Sequence, residues 1–436
     1  MRKFRSVPGR LQRTPAALGG FAPRGSSTGF PGRYGKLRGR YTATRPRRWL
    51  AGLATLTTAL VLAPAAAGAS TAPGSLTARE LASAAHAPGD NFGYSVALSG
   101  TTAIIGAPGV QGSAGGAYLY ARSGGSWHQQ AAVTDPAHTS GDVFGYSVSV
   151  SGGTAVVGAW GTSKHAGAAY VYARSGQTWH LQATLTDPGT SSDLFGYSVA
   201  VSGQTLVVGS FSANEGAGAA YVYVRSGHTW QRQATLTGLP GSSVFGAAVA
   251  ISGPTAVIGA WGTGNQAGAV DIFARSGSTW HRQVTLDNPA GFSQDHFGSA
   301  VAVSGSTAVI GAPTATAGDD GATYIYTRSA GHWHRGATLA DPVGDPNDHF
   351  GWSVAVSGTR VPRVLSGAPS TGSACGAAYE YTHRHGHWRK RVTVVEPSCA
   401  SQDNVGFGVA LSGRLAVLGA PGKNSFAGSV ITLRVP

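Results

Sequence analysis

The sequence predicts an all-β fold, a seven-bladed propeller, on three observations. A sixteen-residue stretch recurs seven times, each period carries four strand-like runs, and the last period lacks one run that a segment ahead of the first can supply. The copies begin at Phe92, Phe144, Phe195, Phe245, Phe297, Phe350 and Val405, at spacings of 52, 51, 50, 52, 53 and 55 residues. A near-constant period of that size marks a stacked or radial repeat, because one unit alone cannot bury its own apolar faces.

The runs justify the elements in order. In the second copy they read YSVSVS, TAVVGA, AAYVYARS and WHLQATLT, each with strand alternation and each bounded by Gly, Ser, Asp or Pro. The first two are joined by Ser-Gly-X, as in Ser151-Gly152-Gly153 and Ser252-Gly253-Pro254, which suits a type II′ hairpin with positive φ at its first central residue. The last two meet at a tight turn leading into Trp127, Trp179, Trp230, Trp280, Trp333 or Trp388. Four antiparallel strands make a blade, and radial packing of seven blades buries both faces of each. The seventh copy stops after its third strand, Gly428 to Val435, so Leu76 to Leu81 is expected to complete it.

Phe-Gly opens most copies, and Gly-Ala-Pro closes the second strand at Gly106-Ala107-Pro108, Gly311-Ala312-Pro313, Gly367-Ala368-Pro369 and Gly419-Ala420-Pro421. Over residues 76 to 436 the chain therefore resembles the FG-GAP repeats of the integrin α-subunit propeller. That resemblance implies extracellular ligand binding or adhesion. Integrin-type copies often carry an Asp-rich calcium loop in the first hairpin, but the Ser-Gly-X hairpins here leave no room for one. Ser175 to Trp179 is similar to the tail of a sialidase Asp-box without its Asp, and no arginine cluster accompanies it.

Charge and composition divide the chain. Residues 1–48 hold 13 Lys and Arg and no acid, leaving 19 basic against 18 acidic residues beyond them. The repeats are thus nearly neutral, which argues against a nucleic-acid partner. Residues 1–44 read as a basic, unstructured leader. Residues 45–69 read as a signal peptide: Arg45 to Arg48, the apolar run Trp49 to Ala63, and an A-x-A site ending at Ala69. Arg47-Arg48 keeps the twin-arginine route open beside the general secretory one. Residues 70–436 would then be a secreted or cell-surface propeller that does not span the membrane. Cys375 and Cys399 are the two cysteines of the chain, and an exported protein favours their pairing as a disulfide.

Recognition is expected where the copies differ. The links between second and third strands and between fourth and first strands vary, share one face, and can carry a protein or cell-surface glycan ligand. On that face Trp160, Phe211 and Trp261 replace the motif proline and form a candidate ligand-binding shelf. Tyr94, Tyr146, Tyr197, Trp352 and Phe407 recur two positions into their copies and read as packing between blades. Asp90, Asp142, Asp193, Asp295, Asp348 and Asp403 precede the Phe-Gly step and read as turn-fixing side chains. Asp319, Asp320, Asp345 and Asp348 form a weak calcium candidate across two loops. His383, His385 and His387 read as surface turn residues. No catalytic residue or cofactor motif stands out, so the expected function is non-enzymatic binding. A lectin with sugar pockets between blades and an extracellular hydrolase are the alternatives.

Overall fold

The computed structural model describes residues 79–81, 86–187, 189, 192–315, 319–396 and 399–436. The expected leader and signal peptide, residues 1–69, lie outside the described residues, as do Leu76 to Ala78. Seven four-stranded antiparallel sheets follow one another along the chain. Six use consecutive strands. In the second blade these are Ser147–Ser151, Thr154–Ala159, Ala168–Ser175 and Thr178–Thr186. The seventh blade is completed from the other end of the chain: Arg79, Glu80 and Leu81 lie opposite Thr432, Ile431 and Val430.

Burial follows composition. Second strands such as Thr154–Ala159 and Thr205–Ser210 are buried at every residue, since small and β-branched side chains fill both faces of a blade held between neighbours. Fourth strands alternate toward solvent. Their Trp residues reach back to the preceding blade instead: Nε1 of Trp179, Trp230, Trp280 and Trp333 donates to the Gln130, Gln182, Gln233 and Gln283 side chains at 2.9–3.3 Å.

The hairpins match the expected chemistry. Gly100, Gly152, Gly203, Gly253, Gly305 and Gly413 have φ between +55° and +58°. Their successors lack positive φ, as a type II′ turn requires. The sixth blade departs, with a longer link from Gly358 to Pro362.

The repeated motif is a clasp between blades. Phe195 is fully buried, and its N–H donates to the Ala166 carbonyl of the preceding blade at 3.0 Å. Gly196, at φ +86°, donates to Gly209 of its own blade at 3.0 Å while its carbonyl accepts the Ser147 hydroxyl of the preceding blade at 2.8 Å. The preceding blade's Gly158 lies so close that a Cβ there would sit 2.0 Å from that same carbonyl oxygen. Phe-Gly of one blade therefore locks into the Gly-Ala step of the one before it.

Cys375 and Cys399 are bonded, with Cα atoms 5.6 Å apart. Cys375 precedes the third strand of the sixth blade, Ala377–Arg384, and Cys399 follows the fourth, His387–Val394, so the hairpin returns them to one edge. Closing a loop over a separation of 24 residues contributes about 3.5 kcal/mol in the chain-entropy model. Mass spectrometry of the non-reduced chain should recover the two cysteine peptides linked. Full alkylation without reductant would contradict the bond.

Candidate binding face

Two loop sets meet at one end of the blades. Outside the fifth blade, the second-to-third links differ in sequence yet share a backbone: a short turn whose middle residues are left-handed, such as Ser163 and Lys164, Gly264 and Asn265, or Asn424 and Ser425. Each link is tied to the next fourth-to-first link, as where Leu194 N–H donates to His165 O at 3.0 Å and Phe195 to Ala166 O. Side chains vary on a common frame.

Around the axis at this end runs an arc of five rings. Trp352 meets Phe407 at 5.4 Å between centroids, Phe407 meets Tyr94 at 4.8 Å, Tyr94 meets Tyr146 at 5.0 Å, and Tyr146 meets Tyr197 at 4.8 Å. They come from five successive blades, the sixth through the seventh and on to the third. Ala247 and Ser299 occupy the same position in the other two and break the arc. Neighbouring rings are tilted by 42–50°, and the Tyr146 hydroxyl donates to the Tyr197 hydroxyl at 2.9 Å. Burial pushes the Tyr94 phenol up to about 12 and Tyr146 well above its ordinary range, so the arc stays uncharged.

The shelf residues divide against this arc. Trp160 stands edge-on to Tyr146 at 5.7 Å and stacks on His165, while Phe211 meets Tyr197 at 4.4 Å. Both extend the arc outward. Trp261 packs edge-on against His296 at 5.1 Å instead. All three are half-buried. Of the three residues singled out by sequence, Trp160 and Phe211 thus contact rings of the arc, and Trp261 contacts a histidine.

Comparison with protein families decides the kinship. The model described as FG-GAP repeat matches residues 78–120, 127–172, 179–223, 230–273 and 280–326, together just over half the chain. The chain is an FG-GAP repeat protein. None of the curated proteins compared with it matches. In the FG-GAP propeller each family match begins in or beside a fourth strand and ends in the third strand of the next blade, so the family unit spans the clasp described above. The sixth blade and the three C-terminal strands of the seventh lie beyond the matched residues and build the same kind of sheet.

The turn aspartates of the FG-GAP propeller act as expected in part. Asp90 accepts Ala87 N–H and Asp403 accepts Ala400 N–H, each at 2.8 Å. Elsewhere the carboxylate before Phe-Gly faces a second acid that follows the fourth strand: Asp142 faces Asp135, Asp193 faces Asp187 and Asp348 faces Asp341. Burial, then the hydrogen bond and charge of the partner carboxyl, pushes Asp142 and Asp348 up to about 6. Asp187 also rises to about 6, by burial and the Asp193 carboxylate against one backbone N–H and the Arg232 charge. The sequence reading missed these pairs, although the Asp-Pro that ends three fourth-strand segments carries the signal. Of the weak calcium candidate, Asp345 adds charge near Asp348, whereas Asp319 is exposed and lies nearer His296 and His349. Among the described residues no group of three or more His, Cys, Asp or Glu is placed to hold a metal. His385 and His387 are exposed, and His383 packs on Trp388. No helix among the described residues is long and apolar enough to cross a membrane.

Proposed function

We propose that this FG-GAP propeller is an exported, non-enzymatic binding protein that takes a protein partner on its variable-loop face, with the aromatic arc as the central contact. The five-ring arc carries the reading. Large rings clustered at the centre of a rigid face supply contact area at low entropic cost, and loops of varied sequence surround them. The rings are tilted and the Tyr146 and Tyr197 hydroxyls bond each other, so the arc offers ring edges, which suits inserted apolar side chains better than a sugar ring needing a flat ledge. Export rests on the basic leader with its A-x-A site and on the disulfide, which persists in oxidising compartments.

The test pairs binding with stability. Trp352, 40% exposed, and half-buried Trp160 can be truncated with less cost than a core residue. Trp160→Ala with Trp352→Ala should weaken retention of a purified extracellular protein ligand about 30-fold or more while chemical denaturation stays close to wild type. Retention that survives the double substitution would overturn the reading. Signals on a glycan array that vanish in the variant would favour the lectin alternative.

A further inference from the structure

The two ends of the propeller differ in charge. The variable loops carry the acid pairs, whereas the first-to-second and third-to-fourth hairpins form the opposite end, and none of the chain's 18 acidic residues falls in any of those hairpins. Arginines crowd the same end. Arg122, Arg174, Arg225, Arg275 and Arg328 each stand one residue before the end of a third strand. Several cations here have local partners: Arg174 and Arg225 donate Nε to the hairpin carbonyls of Gly176 and Gly227 at 2.9 Å, Arg275 reaches the Thr205 hydroxyl at 3.3 Å, and Arg363 pairs with Glu380.

The seam between the seventh and first blades is different. Two adjoining clefts of about 280 and 450 Å³ open there and share Arg122, Leu415 and Arg434. Arg79 and Trp127 line the first and Arg414 the second, so guanidinium groups from the closing strand, the first blade and the seventh blade surround one hollow. None of the four has an acidic partner among the described residues. Arg79 donates to Gly125 O at 3.3 Å and Ser126 Oγ at 3.1 Å, while the Arg122, Arg414 and Arg434 side chains donate to no group among the described residues. Three of these cations also break the repeat. Arg414 stands where the other Ser-Gly-X hairpins have Thr101, Gly153, Gln204, Pro254 or Ser306. Arg434 lies opposite Leu415, where the second blade sets Ala173 opposite Thr154, and Arg79 lies opposite Thr432, where that blade sets Ala183 opposite Val171. The other six blades build the same sheet with uncharged side chains at both strand positions, so the fold does not require arginine there.

We propose that this hollow binds the sulfate or phosphate groups of an anionic glycan. A guanidinium fork meets a tetrahedral oxyanion with two parallel hydrogen bonds, and Arg keeps its charge at every physiological pH. Four cations gathered without an acid repel one another until an anion joins them. They exceed the charge of a single sulfate or phosphate group, so the hollow suits two such groups on one carrier. Trp127, Leu415 and Leu433 give it an apolar wall against which a sugar ring can lie, a feature that serves no free ion. An anion held by Arg79, Arg122 and Arg434 together would tie the closing strand to both of its neighbouring blades. The acids of the opposite end repel the same polymer, so it is kept off the variable loops. The site lies at the other end of the propeller from the partner proposed above and does not depend on it.

Thermal melts and hydrogen exchange of the full chain at physiological ionic strength, with sucrose octasulfate and inositol hexaphosphate as probes, test it. A raised melting temperature and slower exchange in Arg79–Leu81 and Ser429–Arg434 are expected with at least one of them. Arg414→Gln with Arg434→Gln, both on exposed side chains, should weaken the response about tenfold or more and leave the melt without probe close to wild type. Arg174→Gln with Arg225→Gln removes equal charge from the same end and should keep the response. Equal losses in the two pairs overturn the proposal, since the probes then follow the charge of the whole end and not the hollow. Silence toward both probes overturns it too. Sodium sulfate or phosphate that acts as strongly at equal anion concentration overturns the glycan carrier, and capture by phosphatidylglycerol vesicles in place of the probes assigns the hollow to a lipid headgroup and overturns it equally.

Discussion

Gly209→Ala is expected to destabilise the propeller by roughly 3 kcal/mol or more, through overpacking and a disturbed buried hydrogen bond. A Cβ at Gly209 would lie 2.0 Å from Gly246 O and 2.2 Å from the Ser198 hydroxyl. That hydroxyl already donates to Gly246 O at 2.7 Å, so neither atom can retreat without breaking the clasp to the fourth blade. Backbone, not a flexible side-chain tip, is what the methyl meets. Gly203→Ala is the control. Gly203 sits in a hairpin at φ +58° with nothing within 4 Å of a built Cβ, so its cost is confined to left-handed strain, about 1–2 kcal/mol. Urea denaturation of both variants separates the cases. Equal losses would mean that close approach of the blades is not what the motif glycine secures.

The clasp also shows where sequence reading succeeds and where it stops. Seven copies made blade number, strand order and closure legible, because each copy repeats the same alternation and turn glycines. The backbone of the variable links was not legible. Ser163-Lys164 and Gly264-Asn265 share left-handed conformations although their residue types do not announce them. The residue before each Phe-Gly step is left-handed in every blade, at Asn91, Val143, Leu194, Val244, His296, His349 and Asn404. Asn accepts that conformation readily, whereas Val143 and Val244 adopt it because the clasp on both sides holds them there. The aromatic arc was half legible. Its residues were visible as a recurring position, and contact between successive blades is what the structure finds. Their assembly into one arc around the axis depends on which positions carry Ala247 and Ser299, a property of the closed ring that no single copy contains.

Closure gives the second large effect. Removing residues 70–85 should cost roughly 3–5 kcal/mol, from the lost burial of an apolar side chain and of several strand hydrogen bonds. Leu81 packs against the cluster that holds Phe92, Ala410, Val417 and Val430, and so joins the first and seventh blades. Glu80 accepts the Ser429 hydroxyl at 2.6 Å and pairs with Lys423 at 3.0 Å, while Lys423 also holds Glu396 beside the disulfide. Arg79 reaches across to Ser126 of the first blade at 3.1 Å. Three residues thus engage three parts of the ring. Without them the edge of Ser429–Arg434 is left unpaired, and the seventh blade keeps one neighbour whose contact no longer passes through the closing strand. Hydrogen exchange should then quicken first in Ser429–Arg434 and Leu415–Ala420, with the fourth blade last to respond. Glu80→Gln tests the latch separately. Because Glu80 is 39% exposed, its loss should cost far less than the deletion and should grow weaker in high salt. A deletion variant that melts with the wild type, and exchanges evenly around the ring, would show that the blades close on packing between their first strands alone.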